Sequence, residues 1–259
     1  MAGRTETEGR VHVGTSGYVY SDWRGVFYPP GLPHREELAY YASRFGTVEL
    51  NNTFYRLPSP TTARAWAERV PAEFVFSVKG SRYLTHIKRL KETGQGIARF
   101  FEAIAPLGDR LGPVLWQLPP QMKKDPARLE GFLQALPGGH DYVVELRNPE
   151  WYCEEVFALL ERCSASLCLH DLTDAPAPSP PPGPIYYRRF HGLHARHGGR
   201  YGRGGLRRPA AEIAALAASG RPCFAYFNND RNAEATLDAA TLATLVTEAL
   251  EGQGLASHS

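Results

Sequence analysis

Cysteine is scarce in this chain. Four residues in 259, Cys153, Cys163, Cys168 and Cys223, sit in or beside apolar runs, and no two share a C-x-x-C spacing. That pattern argues against a disulfide framework or a zinc ribbon and for buried thiols. Long apolar runs are missing too. No stretch reaches the roughly 18 consecutive apolar residues of a membrane span, and the polar first ten residues lack the apolar centre of a signal peptide. These absences predict a cytoplasmic protein with no membrane partner. There is no Walker loop and no dinucleotide fingerprint, and G-T-S-G at 14–17 is too short to diagnose nucleotide binding. Net charge is nearly absent, at +2, so the total alone points to no polyanionic partner.

What is present is a repeated strand-and-helix pattern. Apolar residues make up 43% of the chain, enough for a sizeable core. Short β-rich runs fall at 11–14, 47–50, 74–78, 113–117, 142–146, 166–169, 185–190 and 222–227, about 30 residues apart, which is the size of a strand, crossover helix and return. Between them lie apolar stripes at three and four spacing, such as Leu38, Tyr41, Ala42 and Phe45, or Ile97, Phe100, Phe101 and Ile104. The sixth crossover differs: residues 172–184 carry six prolines and predict an extended loop in place of a helix. The pattern predicts a single (β/α)8 TIM barrel over 11–252, with disordered tails at 1–10 and 253–259; an open doubly wound sheet is the alternative.

A barrel of this kind places its site at the C-terminal ends of the strands, and here every predicted strand ends in polar residues. The second carries Glu49 and leads into Asn51, the third ends in Lys79 and the fourth in Gln117. The fifth carries Glu145 and leads into Arg147, the sixth ends in His170 and Asp171, the seventh in Arg189 and His191, and the eighth in Asn228, Asn229 and Asp230. Side chains two apart share a face, so Glu49 and Asn51 should point into the mouth together, as should Glu145 and Arg147, with Leu50 and Leu146 facing the helices.

The motifs G-T-S-G-Y-V-Y-S-D-W-R-G-V-F-Y-P (14–29), V-E-L-N-N-T-F-Y-R-L-P (48–58), F-V-F-S-V-K (74–79), E-L-R-N-P-E-W (145–151), Y-Y-R-R-F-H-G (186–192) and F-N-N-D (227–230) span nearly the whole chain. They resemble the domain of unknown function 72 family, the YecE-like proteins. The resemblance implies a TIM barrel and no particular chemistry. The Pro-rich run and the H-A-R-H-G-G-R-Y-G-R-G-G segment at 194–205 depart from the family pattern.

Charge is unevenly spread. Residues 79–91 hold five Lys or Arg and no acid, and residues 175–211 hold seven arginines and no acid. Two basic loops at one mouth favour an anionic small molecule or a nucleic acid. The leading reading is an enzyme on a phosphate-containing or other anionic substrate, such as a phosphoester hydrolase. Lys79, Arg147 and Arg189 would hold the anion, Glu49 or Glu145 would serve as general base, and His191 or His170 as general acid, beside Asp230. Tyr18 and Trp23 would stack on a base or sugar, and Asn51, Gln117, Asn228 and Asn229 would contact substrate. A metal-dependent version resembles the endonuclease IV barrels and would draw on Glu49, Glu145, His170, Asp171, His191 and Asp230. With no H-x-H or H-E-x-x-H spacing a divalent metal is not favoured, and the cofactor is unknown. Lys79 as a Schiff-base lysine and a non-catalytic anion or nucleic-acid binding module are the competing readings.

Overall fold

The computed structural model describes residues 11–194 and 198–256. Strands and helices alternate: β1 (Val11–Thr15), α1 (Glu37–Ala42), β2 (Thr47–Leu50), α2 (Asn52–Tyr55), α3 (Pro60–Glu68), β3 (Val75–Lys79), α4 (Gly94–Ile104), β4 (Leu111–Gln117), α5 (Pro126–Gln134), β5 (Tyr142–Glu145), α6 (Glu154–Arg162), β6 (Ala165–His170), β7 (Tyr186–Phe190), α7 (Gly202–Ala218), β8 (Cys223–Phe227) and α8 (Glu234–Ala256). The expected tail at 1–10 and residues 257–259 lie outside the described residues, and α8 continues four residues past the expected domain end. No described helix is long and apolar enough to cross a membrane.

All strands pair in parallel, in the order β1-β8-β7-β6-β5-β4-β3-β2. Alternation divides each strand between two cores. Val48, Leu50, Phe76, Val78, Val114, Trp116, Val144 and Leu146 join the helix stripes in an outer core, while Leu115, Val143, Cys168, Ile185, Tyr187, Phe224 and Tyr226 fill the barrel. Helix starts follow local sequence. Ser59 caps α3 through the Thr62 amide (3.1 Å) and Asp125 caps α5 through that of Arg128 (3.1 Å), each followed by a proline in the first turn.

The barrel closes at the β1/β2 seam with few direct backbone bonds. The Tyr41 hydroxyl stands between the strands, accepting from the Thr15 amide (2.9 Å) and donating to the Thr47 carbonyl (3.0 Å). Above it, Ser16 bridges to Glu49, and the Gly17 amide reaches the Glu49 carbonyl at 2.8 Å. Gly14 permits this approach, because a Cβ there would lie 2.3 Å from the Thr47 oxygen. Closure and the consecutive strand order exclude the doubly wound alternative.

No helix joins β6 to β7, as the six prolines predict. The strap is tied down instead: the Leu167 amide bonds the Pro182 carbonyl (3.1 Å), and an Arg221 amino group reaches the carbonyls of Pro181, Gly183 and Ile185 at 2.6–3.0 Å. The segment at 194–205 is only partly a loop, since α7 begins at Gly202; residues 195–197 lie outside the described residues. The short α2 has no apolar periodicity to announce it.

Replacing Tyr41 by Phe leaves the Thr15 amide and the Thr47 carbonyl unpaired in a buried seam. We expect a loss of about 1–3 kcal/mol in urea unfolding; an unchanged midpoint would show that the hydroxyl does not close the barrel.

Candidate functional site

At the C-terminal end of the barrel three elements place three charged side chains in one enclosed space. Arg189 on β7 is 1% exposed, and Glu49 on β2 and Glu145 on β5 are fully enclosed. Arg189 donates to Glu49 Oε1 through Nε (3.1 Å) and Nη2 (2.8 Å), and to Glu145 Oε2 through Nη1 (2.7 Å). The other Glu49 contacts are Tyr187 Oη on Oε2 (2.6 Å) and Ser16 Oγ on Oε1 (2.7 Å). Glu145 Oε1 takes the Nε–H of Arg147 in a close ion pair. Burial alone would raise the Glu145 pKa, but Arg189 and Arg147 outweigh it and hold the carboxyl well below its ordinary range.

His191 sits above this cluster. Its Nδ1 lies 3.0 Å from Asp171 Oδ1, and its Nε2 faces Arg189 Nη1 (3.3 Å) and Arg147 Nη2 (3.4 Å). Guanidinium groups only donate, so Nε2 is the acceptor and Nδ1 carries the proton toward Asp171. Burial and Arg189 outweigh Asp171 and push the His191 pKa down to about 4, which keeps the ring neutral. Asp171 also accepts from the His191 amide and from the Tyr201 hydroxyl. Tyr201 is set in turn by the buried Asp238, which accepts from the Tyr201 and Gly202 amides (3.0 and 3.2 Å) at the start of α7.

Lys79 on β3 occupies another side of the mouth. It is 9% exposed, and its Nζ lies 4.4 Å from the centre of the Phe54 ring. No carboxylate comes within ion-pair distance of it among the described residues. Burial, with Arg189 second, lowers its pKa to about 8, against opposition from Glu145 and Glu49. His86 packs edge-on against Phe54 at 5.0 Å, and burial followed by the Lys79 charge lowers its pKa to about 4.

Among the other expected residues, Asn51 and Asn228 meet across the β2/β8 side of the mouth (3.5 Å), and Asn51 Oδ1 is buried without a partner among the described residues. Gln117 is half-buried beside Glu145 in the β4/β5 register. Asp230 lies against the Tyr20 hydroxyl, which donates to the Ser16 carbonyl at 2.5 Å.

Several expected roles do not fit these positions. Glu49 is enclosed and its oxygens are occupied, so it has no access to act as a general base. Arg189 is likewise spent on protein carboxylates. A neutral His191 suits proton acceptance, not the general-acid role expected of it. His170 has both ring nitrogens on backbone, the Leu146 carbonyl (2.8 Å) and the Leu172 amide (3.2 Å). Trp23 is fully buried against Tyr20, Phe27 and Tyr28, with Nε1 on the Asp230 carbonyl (2.6 Å), and Tyr18 packs toward Tyr41, so neither offers a stacking face at the mouth. Asn229 turns outward to Asp238 (2.9 Å) and the Gly199 carbonyl (3.2 Å). The six expected metal ligands do not converge: among the described residues no three His, Cys, Asp or Glu side chains form a metal-holding group. Residues missed from sequence include Ser16, Tyr20, Phe54, His86, Tyr187, Tyr201 and Asp238. Parity on β7 was the available signal for Tyr187, two residues before Arg189.

Fold and site together define a (β/α)8 barrel whose C-terminal mouth is floored by a buried Glu-Arg-Glu cluster. Residues 12–258 match the family described as Protein of unknown function DUF72, and the chain belongs to that family. UPF0759 protein YecE of Escherichia coli K12 is 29% identical over 145 residues, 56% of this chain and 51% of that protein. UPF0759 protein YunF of Bacillus subtilis is 25% identical over 175 residues, 64% of this chain and 61% of that protein. The match thus spans about half the length of YecE. A solved DUF72 family protein of Thermotoga maritima gives a TM-score of 0.82 at 27% identity, covering 92% of this chain and 99% of that one. One from Enterococcus faecalis gives 0.76 at 20% identity over 92% and 95%, a likeness of fold alone.

The site predicts two stages of acid destabilisation. His191 and His86 drop from an ordinary 6.5 to about 4 on folding, so the unfolded chain binds more protons between those values and stability falls as pH drops through that window. The depressed Glu145 contributes stability that is complete above its unfolded value of 4.5 and is lost as pH falls through its folded value. His191→Gln should reduce the upper stage by on the order of 2 kcal/mol, read from urea midpoints at stepped pH. Flat stability between pH 7 and 5 would contradict the neutral-histidine assignment.

Proposed function

We propose that the barrel mouth binds a small anionic substrate, bearing a phosphate or carboxylate, and acts on it as an enzyme. One observation carries the anion: Glu49 and Glu145 are balanced by Arg189 and Arg147, leaving the ammonium of Lys79 over Phe54 without a carboxylate partner among the described residues. A desolvated cation without a counter-charge favours an anionic ligand. Arg147, whose side chain is 18% exposed, supplies the second cation and keeps amino groups for a ligand while Nε stays on Glu145.

The case for chemistry rests on the Tyr201-Asp171-His191 chain, a base with an orienting carboxylate behind it. His191 Nε2 would accept a proton once a bound anion turns the Arg147 amino group from it and the 3.3 Å contact from Arg189 yields to the substrate proton. Asn51 Oδ1, a buried acceptor without a partner among the described residues, suits a substrate hydroxyl or amine beside the anionic group. The enclosure of Lys79 favours a small molecule over nucleic acid.

A second reading, a non-catalytic anion-binding module, gains from one feature. The mouth carboxylates that would repel phosphate are neutralised by guanidinium groups, so they present no obstacle to simple binding.

Inorganic phosphate serves as the probe. Thermal unfolding of the wild-type chain should rise in temperature with phosphate concentration, approaching about 2.7 kcal/mol of added stability at a hundredfold excess over Kd. Lys79→Met should fold at least as well, since an apolar chain replaces a desolvated ammonium on an aromatic ring, and should lose the response. An equal phosphate response in Lys79→Met would remove Lys79 from the anion site.

A further inference from the structure

Lys79 has a second property that an anion clamp does not need. An ammonium that only holds phosphate has no need of a depressed basicity, yet this one is placed at the end of β3 against an aromatic face, near the guanidinium groups of Arg189 on β7 and of Arg147 just after β5, with no acid paired to it among the described residues. The groups facing it are Glu49 from β2, Glu145 from β5 and Arg147 just after it, Arg189 from β7, and His86 from the segment after β3. Both carboxylates are committed to arginines, so their charge is largely spent before it reaches the amine. Desolvation and neighbouring cations are the two devices that leave a lysine neutral enough to act as a nucleophile near neutral pH.

We propose that Lys79 forms an imine with a small anionic aldehyde or ketone, of the 2-oxo acid kind, whose carboxylate or phosphate lies on Arg147. This rests on the anionic-substrate reading above and names its substrate class.

The chemistry balances without any further reactant. The neutral amine attacks the carbonyl carbon and a C–N bond forms. The ammonium proton of the adduct moves to the oxygen, giving a carbinolamine. One proton from solvent converts that hydroxyl to water, which leaves as the nitrogen lone pair forms the C=N bond, so amine, carbonyl compound and one proton yield an iminium and water. No electron is gained or lost. The iminium replaces the ammonium with another cation, so the charge over Phe54 is preserved. It also acidifies the adjacent C–H, and His191 is a neutral acceptor at the same mouth.

With the Lys79 pKa at about 8, about one molecule in ten carries a neutral amine at pH 7, against fewer than one in a thousand for an ordinary surface lysine. The probe is glyoxylate, a small anionic aldehyde, with sodium cyanoborohydride to trap the imine and peptide mass mapping to locate it. We expect carboxymethylation at Lys79 well ahead of exposed lysines such as Lys123, with a rate that rises through an inflection near pH 8 and slows when phosphate is added. Lys79→Arg, which keeps the charge and lacks the nucleophile, should lose that fast adduct alone. Two outcomes overturn the inference: no adduct at Lys79, or modification of Lys79 at the same rate and with the same pH profile as Lys123. If phosphate still stabilises the wild type and not Lys79→Met, the anion site stands and only the covalent step fails. If neither response is seen, both readings fall.

Discussion

Arg189 is 1% exposed, so its guanidinium donors depend on acceptors supplied by the protein. It reaches Glu49 on one side and Glu145 on the other, strands that stand apart in the barrel, and this shared cation holds the upper interior together. Two carboxylates this enclosed would repel each other and take up protons without it, and Arg189 without them would be an uncompensated buried charge. From this constraint the rest of the mouth follows. Glu145 has an oxygen left for Arg147, the two arginines leave His191 only an acceptor role at Nε2, and Asp171 takes the opposite nitrogen. Lys79, without a carboxylate partner among the described residues, remains as the surplus charge.

Polarity extends below the cluster. Tyr187 and Tyr226 are part of the barrel interior, and their hydroxyls reach Glu49, Thr47 and Ser77 at 2.6–2.9 Å. The ionic floor therefore stands on hydrogen-bonded tyrosines, and those tyrosines stand on Leu115, Val143, Ile185 and Phe224. A side chain fixed from below and from both sides has few alternative rotamers, which suits a site that must keep its geometry. A cavity of about 990 Å³ lies elsewhere, against the N-terminal ends of β1 and β2 between α1 and α8, and is lined mainly by apolar residues such as Val13, Phe27, Phe45 and Val246. It is remote from this chemistry.

Much of the architecture was legible in the sequence because it rests on local patterns. Strands are short β-rich runs between turn residues, and alternation placed Glu49 inward with Leu50 outward without any structure. The Pro-rich crossover was equally plain, since proline forbids the helix. Roles were harder to read, because a charge's function depends on what meets it across the barrel. Arg189 resembles an anion clamp until Glu49 and Glu145 are seen to converge on it from 140 and 44 residues away. Trp23 and Tyr18 resemble stacking platforms until the first loop folds onto itself, leaving Tyr20 toward the mouth. Alternation continues past the end of β8, so Asn228 faces the mouth with Tyr226, while Asn229 turns outward with Phe227 to Asp238.

Arg189 and its two carboxylates form one energetic unit. A double-mutant cycle on Glu49 and Arg189, measured by urea unfolding at pH 7, tests it most directly. Arg189→Met alone should cost about 3–5 kcal/mol, because it leaves enclosed carboxylates unpaired, while the same change made on Glu49→Gln should cost far less. Additive losses, or a single-variant cost below about 1 kcal/mol, would contradict the account.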